Sequence, residues 1–106
     1  MTPSENMFAL RRVSADLTLT GSTAVLAAPG ANQYYIIRTL VISSDTAFTA
    51  TPKSGTTRIG PKIFCAANAG VALDFMSIKC GYNEAFNIDW TGGGNGGYYV
   101  EYQLIG

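Results

Sequence analysis

The sequence predicts an all-β domain: an antiparallel β-sandwich, more specifically a jelly roll of about eight strands. Three observations predict it. Apolar and polar residues alternate with a period of two in several segments, as in strands with one buried face. Turn residues separate these segments at intervals of about 8–12 residues, the spacing found in sandwiches and barrels. No segment keeps the helical period of 3.6 residues for longer than about one turn.

The first twelve residues differ from the rest of the chain. They mix polar and apolar residues without a clear period and include Pro3. Two interpretations stay open: a disordered terminus, or an extended arm that lies on a neighbouring subunit through Met7, Phe8 and Leu10. At 106 residues the chain is long enough for one domain. We therefore predict an N-terminal arm at residues 1–12 and one jelly-roll domain at residues 13–106.

The first two strands are short and half-buried. From Val13 to Thr20, apolar residues alternate with serine, aspartate and threonine, which predicts a strand. Gly21 and Ser22 predict a turn. A second strand is expected at residues 24–26, before a stop at Pro29.

The third strand has the strongest signal. Residues 34–42 are aromatic and β-branched, and they are apolar at both odd and even positions. An antiparallel strand with one wet face would alternate, so we expect both faces to be covered. One cover is the opposing sheet, and the other is a loop or another chain.

The second half of the chain continues the pattern. Strands are predicted at residues 47–52, 63–66, 71–75, 86–90 and 98–105, with a turn at residues 53–56. In two strands the alternating residues share one face. These residues are Phe86, Ile88 and Trp90 in one strand and Tyr98, Val100, Tyr102 and Leu104 in the other. An immunoglobulin-like sandwich is the competing fold, but the single tryptophan lies near the C-terminus and no Cys–Trp–Cys order exists.

Composition limits the classes of function. Charged residues make up 13% of the chain, about half of the usual ~25%. Such a surface is either rich in uncharged polar residues or partly hidden in an interface. The seven basic residues form no patch for nucleic acid, and no stretch reaches the ~20 apolar residues of a membrane span. The N-terminus lacks the apolar stretch of a secretory signal, so we expect cytoplasmic synthesis with Cys65 and Cys80 reduced. A disulfide between them is the alternative, because both lie at the ends of predicted strands.

The sequence shows no catalytic motif. Histidine is absent, which removes the usual general base and the commonest metal ligand. Two cysteines alone do not complete a zinc site. Asp74, Glu84, Asp89 and Glu101 are acids on or near strands, where carboxylates are usually solvated. Gly92, Gly94 and Gly97 match a dinucleotide-binding spacing, but a strand follows them instead of the required helix. We therefore predict no enzymatic activity, no cofactor and no metal.

Tyrosine is the residue that points to function. Tyr34 and Tyr35 are neighbours on one strand, as are Tyr98 and Tyr99 on another, so one ring of each pair must face away from the core. Exposed tyrosines are typical of interfaces. Ligand stacking and simple filling of the core or surface are the alternatives. The predicted subunit or capsid interface consists of Phe8, Leu10, Tyr34, Tyr35, Ile37, Tyr98, Tyr99 and Tyr102.

From about Gln33 to Ile105, the chain resembles small jelly-roll structural proteins of tailed bacteriophages. The resemblance lies in the strand at residues 35–42 and the Lys-Ser-Gly-Thr-Thr turn at residues 53–57. It continues through the segments at residues 60–64, 66–71 and 83–88 and the closing Gly-Gly-Tyr-Tyr-Val-Glu-Tyr at residues 96–102. Where relatives carry an Asp-Gly-Trp element, this chain has residues 75–80, Phe-Met-Ser-Ile-Lys-Cys.

The resemblance implies a virion component, in particular a head decoration (cement) protein on the outside of a phage capsid. The implied partners are the protein itself, as a homotrimer, and the major capsid protein, after assembly in the host cytoplasm. One alternative is a tail- or fibre-associated module that binds host-surface glycan by stacking on Tyr98 or Trp90. A small hydrolase of surface sugars is the remaining alternative.

Overall fold

The computed structural model describes residues 9–18, 21–74, 77–92 and 94–106. These residues form β-strands and connections without a helix, so no helix of the described part is available to cross a membrane. The strands are β1 (Arg11–Thr18), β2 (Gly21–Leu26), β3 (Tyr34–Ser44), β4 (Phe48–Ser54), β5 (Thr57–Arg58), β6 (Ile63–Cys65), β7 (Ala69–Leu73), β8 (Ile78–Lys79), β9 (Phe86–Thr91) and β10 (Asn95–Ile105).

The strands form two antiparallel sheets. Sheet A has the order β1-β10-β3-β7, and β8 also pairs with β3; sheet B has the order β2-β9-β4-β5, and β6 also pairs with β4. Since β5 and β6 follow one edge of β4, and β7 and β8 follow one edge of β3, each pair is one interrupted strand. Counted in this way, eight strands have the order 1-8-3-6 in sheet A and 2-7-4-5 in sheet B. This interleaved order is a jelly roll, which confirms the predicted fold class.

The same strand order excludes the immunoglobulin-like alternative. In that fold the first and last strands lie in different sheets. Here β1 pairs with β10 along its whole length, from Arg11 opposite Tyr102 to Thr18 opposite Asn95.

Several strand limits differ from the sequence prediction. β1 begins at Arg11, two residues before the expected domain boundary. Gly21 and Ser22, predicted as a turn, belong to β2. Gly21 has a φ of 68°, which glycine adopts without strain, so the chain turns and enters the strand at the same residue. The two-residue strands β5 and β8 were not expected, because so short a segment has no periodicity to detect.

The core lies between the two sheets and follows the predicted alternation. Phe86, Ile88 and Trp90 are all at most 4% exposed, and Val100 is fully buried, so the shared faces predicted for these two strands point into the core. The polar atoms of buried rings have partners: Trp90 Nε1 donates to Thr23 Oγ1 at 2.9 Å. The remaining members of the core are Val25, Leu26, Tyr35, Ile37, Leu40, Ile42, Phe48, Ala50, Ile63 and Cys80.

A β-bulge interrupts β3 at Arg38. Ile37 lies opposite Tyr102 and Thr39 lies opposite Glu101, so Arg38 is an extra residue on β3. The bulge lets Ile37 and Leu40, three positions apart, both point into the core. Arg38 donates from Nη1 to Ser77 Oγ at 2.6 Å.

Both cysteines are free thiols in the structure. Cys65 ends β6 in sheet B, and Cys80 follows β8 beside sheet A. Burial raises the pKa of Cys80 to about 11, so this thiol stays protonated and unreactive at neutral pH.

Candidate interaction surface

The side chains of sheet A that point away from the core form one broad surface. We call it the A face, and it consists of Arg12, Ser14, Asp16, Thr18, Tyr34, Ile36, Thr39, Val41, Ser43, Ala72, Lys79, Asn95, Tyr99, Glu101, Gln103 and Ile105. The corresponding surface of sheet B is the B face, which consists of Ser22, Ala24, Thr49, Thr51, Lys53, Arg58, Phe64, Asn87, Asp89 and Thr91.

The centre of the A face is apolar. Val41 of β3 lies between Tyr99 of β10 and Ala72 of β7. Farther along β3, Ile36 lies opposite Gln103, and Tyr34 lies opposite Ile105. These side chains are outside the core cluster; Ala72 is exposed and the others are half-buried. The described strands form two sheets and no third layer, so the second cover expected for β3 is not supplied by this part of the chain.

Hydrogen bonds hold the polar residues of the A face in place. Arg12 Nε lies 3.5 Å from Glu101 Oε2, and Tyr99 donates its hydroxyl to the same oxygen at 2.9 Å. Thr39 donates to Asp74 Oδ1 at 2.7 Å. Desolvation, followed by the hydrogen bond to Glu101, raises the pKa of Tyr99. The Tyr99 ring is therefore a fixed, neutral member of the face.

One corner of the A face carries two aromatic rings and a cation. Tyr34 and Tyr82 meet edge to face with their centroids 5.0 Å apart. Lys79 Nζ lies 4.5 Å from the Tyr34 centroid and 5.3 Å from that of Tyr82. Tyr82 is 60% exposed, and Asn83 fixes its loop by donating its N–H to Gln33 O at 2.7 Å. Sequence reasoning missed Tyr82, although an aromatic residue inside a Gly-Tyr-Asn connection is a signal of exposure.

The structure separates the predicted interface residues. Tyr34 and Tyr99 are on the A face. Leu10 is 49% exposed and lines a depression of about 420 Å³ together with Arg38, Thr39, Asp74, Glu101 and Gln103. Tyr98 and Tyr102 are half-buried and pack on the core from the inner side of sheet A. Phe8 lies outside the described residues.

Two of the predicted contact residues are wrong for a surface role. Tyr35 is 8% exposed and Ile37 is 1% exposed, because strand alternation points both between the sheets. The hydroxyl of Tyr35 donates to Ala27 O at 2.6 Å, and its ring meets Tyr102 edge to face at 5.5 Å. The aromatic pair at 34 and 35 therefore divides between surface and core.

The rings suggested for glycan stacking are also wrong. Trp90 is 4% exposed and packs against Phe48, with their centroids 5.9 Å apart. Tyr98 faces the core. Neither ring presents a free face on which a sugar can stack.

Each acid considered for catalysis has a structural partner. Glu84 accepts from Ser54 Oγ at 2.8 Å, Asp89 pairs with Lys53, and Asp74 and Glu101 have the A-face partners given above. Within the described ranges no group of three His, Cys, Asp or Glu residues is placed to hold a metal. Gly92 and Gly94, both with positive φ, lie in the connection between β9 and β10 and have no helix after them.

The B face differs in chemistry from the A face. Its centre carries threonines and the Lys53–Asp89 ion pair, whose hydrogen bond lowers the pKa of Asp89. Its exception is Phe64, which is 72% exposed beside Lys62 Nζ at 5.8 Å from the ring centroid. Phe64 borders a shallow depression of about 390 Å³ with Ala47, Cys65, Ala66 and Thr91. The sequence did not single out Phe64, which was predicted only as part of a strand at residues 63–66.

Comparison with known proteins shows a similarity in structure but none in sequence. No protein-family model matches the chain, and no curated protein matches it in sequence. The coat protein of Tobacco streak virus, solved as a dimer, is similar with a TM-score of 0.48 and 9% identity. The match covers 92% of this chain and 86% of the coat protein chain. The jelly-roll assignment depends on the strand order described above and not on this similarity.

Proposed function

We propose that this chain is a virion structural protein: a head decoration (cement) protein that binds the outside of a phage capsid and stabilises it. It acts without catalysis and without a cofactor, as a homotrimer. The observation that carries the proposal is the A face, an aromatic and β-branched sheet surface without a third layer in the described part of the chain. The resemblance of residues 33–105 to phage jelly-roll proteins supports a phage capsid as the place where this surface acts.

The A face suits a protein partner for a physical reason. Contiguous apolar surface in a small protein marks an interface, because leaving it in water forfeits the hydrophobic free energy of about 25 cal/mol per Å². Charged groups beside the strip have partners within the chain, such as Arg12 with Glu101 and Asp74 with Thr39. Docking therefore removes apolar area from water without stranding buried charges.

We assign the A face to contact between subunits around a threefold axis. Tyr34, Val41 and Tyr99 provide the rigid side chains of such a contact, and the half-buried rings of Tyr98 and Tyr102 support them from below. Leu10 and Phe8 of the arm extend the contact to a neighbouring subunit or to the major capsid protein. A shell presents many equivalent sites, so modest affinity for each copy is sufficient for full decoration of the capsid surface.

Sedimentation equilibrium of the isolated protein tests the trimer. We expect a mass three times that of the 11.2 kDa chain at micromolar concentration. A monomer at that concentration would overturn the trimer. Heads prepared without the protein test the capsid role: added protein should bind saturably and raise the temperature at which the heads open. Heads that bind none of it would overturn the decoration function.

A second candidate, a tail- or fibre-associated module that binds host-surface glycan, is favoured by one observation. Tyr82 is 60% exposed, and Lys79 lies against it, which is a ring-and-cation arrangement suited to an acidic sugar. A glycan array that includes uronic and sialic acids provides the test. Saturable binding that is lost in Tyr82→Ala but retained in Phe64→Ala would support this candidate, and an array without binding would eliminate it.

A further inference from the structure

The four edges of the two sheets are not equivalent. Three are short or irregular: β7 and β8 have five and two residues, β5 and β6 have two and three, and β2 has a register shift between Ala24 and Leu26. Short and bulged edges are common protections against unwanted strand pairing. The fourth edge, β1, has neither protection.

β1 is a long and regular edge strand. All eight of its residues pair in one unbroken register with β10, and it contains no proline or glycine. Its opposite side has no strand partner in the described part of the chain, because β1 ends the order of sheet A. Alternate backbone N–H and C=O groups therefore point outwards, as in the edges that accept an added strand.

The charges of β1 are arranged so that two antiparallel copies of the strand place opposite charges next to each other. Arg12, Ser14 and Asp16 alternate with inward-facing residues and share the outer side of the strand. When two copies of β1 run antiparallel with Ser14 opposite Ser14, Arg12 of each copy lies opposite Asp16 of the other. On the inner side, Val13 of each copy lies opposite Ala15. Charges that only protect a sheet edge from pairing with another strand would not need to lie at positions that match opposite charges in a second copy.

We propose that β1 is a docking edge for β1 of a second copy, paired antiparallel across a twofold axis at Ser14. The pairing joins two copies of sheet A into one continuous sheet and forms two Arg12–Asp16 ion pairs. Such an isologous contact closes on itself, since each copy contributes the same surface.

Other registers lack this charge match. Only registers in which outward-facing residues of one copy lie opposite outward-facing residues of the other keep the two sheets continuous. Centring the axis on Val13 puts Arg12 opposite Ser14, and centring it on Ala15 puts Arg12 opposite Thr18. Centring it on Arg12 puts the two arginines opposite each other, which is repulsive.

The edge contact goes beyond the proposed decoration function and is separate from it. The twofold contact uses the edge of β1, where Arg12 and Ser14 form the margin of the A face, whereas the threefold contact uses the apolar centre of that face around Val41. Copies joined by both contacts would form a net, in which each twofold links two trimers. Loss of the edge contact leaves trimers intact, so the two proposals fail in distinguishable ways.

Cysteine cross-linking tests the register. Ser14→Cys and Thr18→Cys are each made in a Cys65→Ser background, in which the remaining thiol, Cys80, is buried. Both variants keep Arg12 and Asp16, and under mild oxidation Ser14→Cys should form a covalent dimer at least about tenfold faster than Thr18→Cys. Its two thiols meet at the axis, whereas those at position 18 are about 26 Å apart. Equal rates for the two variants would overturn the register.

Charge exchange tests the contact itself, by sedimentation velocity over a range of concentrations. Arg12→Asp and Asp16→Arg should each weaken the twofold association by about tenfold or more, and the double exchange should restore it to within about threefold. Melting temperatures check that each variant folds, since Arg12 also pairs with Glu101. The matched control is Arg58→Asp on the short edge β5, which should leave association unchanged. Absence of rescue in a folded double variant would overturn the proposal.

Discussion

The two outer faces of the sandwich are both formed around a central pair of antiparallel strands, β3 and β10 in one sheet and β4 and β9 in the other, but they have different chemistry. At the centre of the B face, Thr51 of β4 lies opposite Asp89 of β9, and Lys53 pairs with that carboxylate. At the centre of the A face, Val41 of β3 lies opposite Tyr99 of β10. One face therefore presents groups that water solvates well, and the other presents groups that water solvates poorly. The B face shows that an outer sheet surface of this fold can carry polar and charged side chains. The apolar side chains of the A face are therefore not explained by folding alone.

The comparison becomes sharper within β3 itself. Ile36 and Ile37 are neighbours, but Ile37 is 1% exposed in the core and Ile36 is half-buried on the A face. The fold requires an apolar side chain at Ile37, because this residue lies in the core. Ile36 is apolar for another reason, which we take to be contact with another chain.

The largest effect is expected from truncating the buried neighbour. Ile37→Ala should lower the free energy of unfolding by about 2–5 kcal/mol, because it removes a fully buried side chain and leaves a cavity. Ile36→Ala should lower it by less than about 1 kcal/mol in the dissociated chain. Denaturant unfolding measures both. Equal losses would show that the A face is part of the core, and the contrast between faces would disappear.

A smaller effect is expected from placing a charge on each face. Val41→Glu should weaken self-association by at least about tenfold, since a carboxylate would be desolvated in the apolar strip. Thr51→Glu is the matched control on the B face and should leave association unchanged. Sedimentation equilibrium measures both dissociation constants. If Thr51→Glu disrupts association and Val41→Glu does not, the contact lies on the B face.

The smallest effect concerns the ion pair on the B face. The hydrogen bond from Lys53 lowers the pKa of Asp89 in the folded protein. The charged carboxylate therefore stabilises the fold at pH values above the pKa of an unfolded aspartate, about 3.9. This stabilisation is lost as the pH falls through the lower pKa of the folded state. Asp89→Asn should therefore cost about 0.2–1 kcal/mol at pH 7 and less below pH 4. A cost that stays constant over this pH range would contradict the assignment.

The sequence predicted the fold class because periodicity is a local property. Alternation in β9 and β10 grouped Phe86 with Trp90 and Tyr98 with Val100 on shared faces, and the structure shows that both faces point into the core. The bulge at Arg38 was not predictable, since it arises from the register between β3 and β10 and leaves no pattern in β3 alone.

The candidate site was only partly predictable for the same reason. Two adjacent tyrosines showed that one ring must face outwards but not which one, and the structure assigns this role to Tyr34 instead of Tyr35. Tyr82 and Phe64, both more exposed than either, are in a loop and in a three-residue strand. Such segments are too short for alternation to indicate a direction.

The place of β10 in sheet A has a consequence for synthesis of the chain. β10 lies between β1 and β3 in sheet A. Neither strand can form its hydrogen-bonded ladder with β10 until β10 has left the ribosome, long after β1 and β3. Thr18 and its partner Asn95 are 77 positions apart, which is about 4–15 s of translation at ~5–20 residues per second. Until then sheet A has a gap at its centre, and the domain cannot close. We expect folding to follow release of the whole segment, so that copies meet one another only as finished subunits.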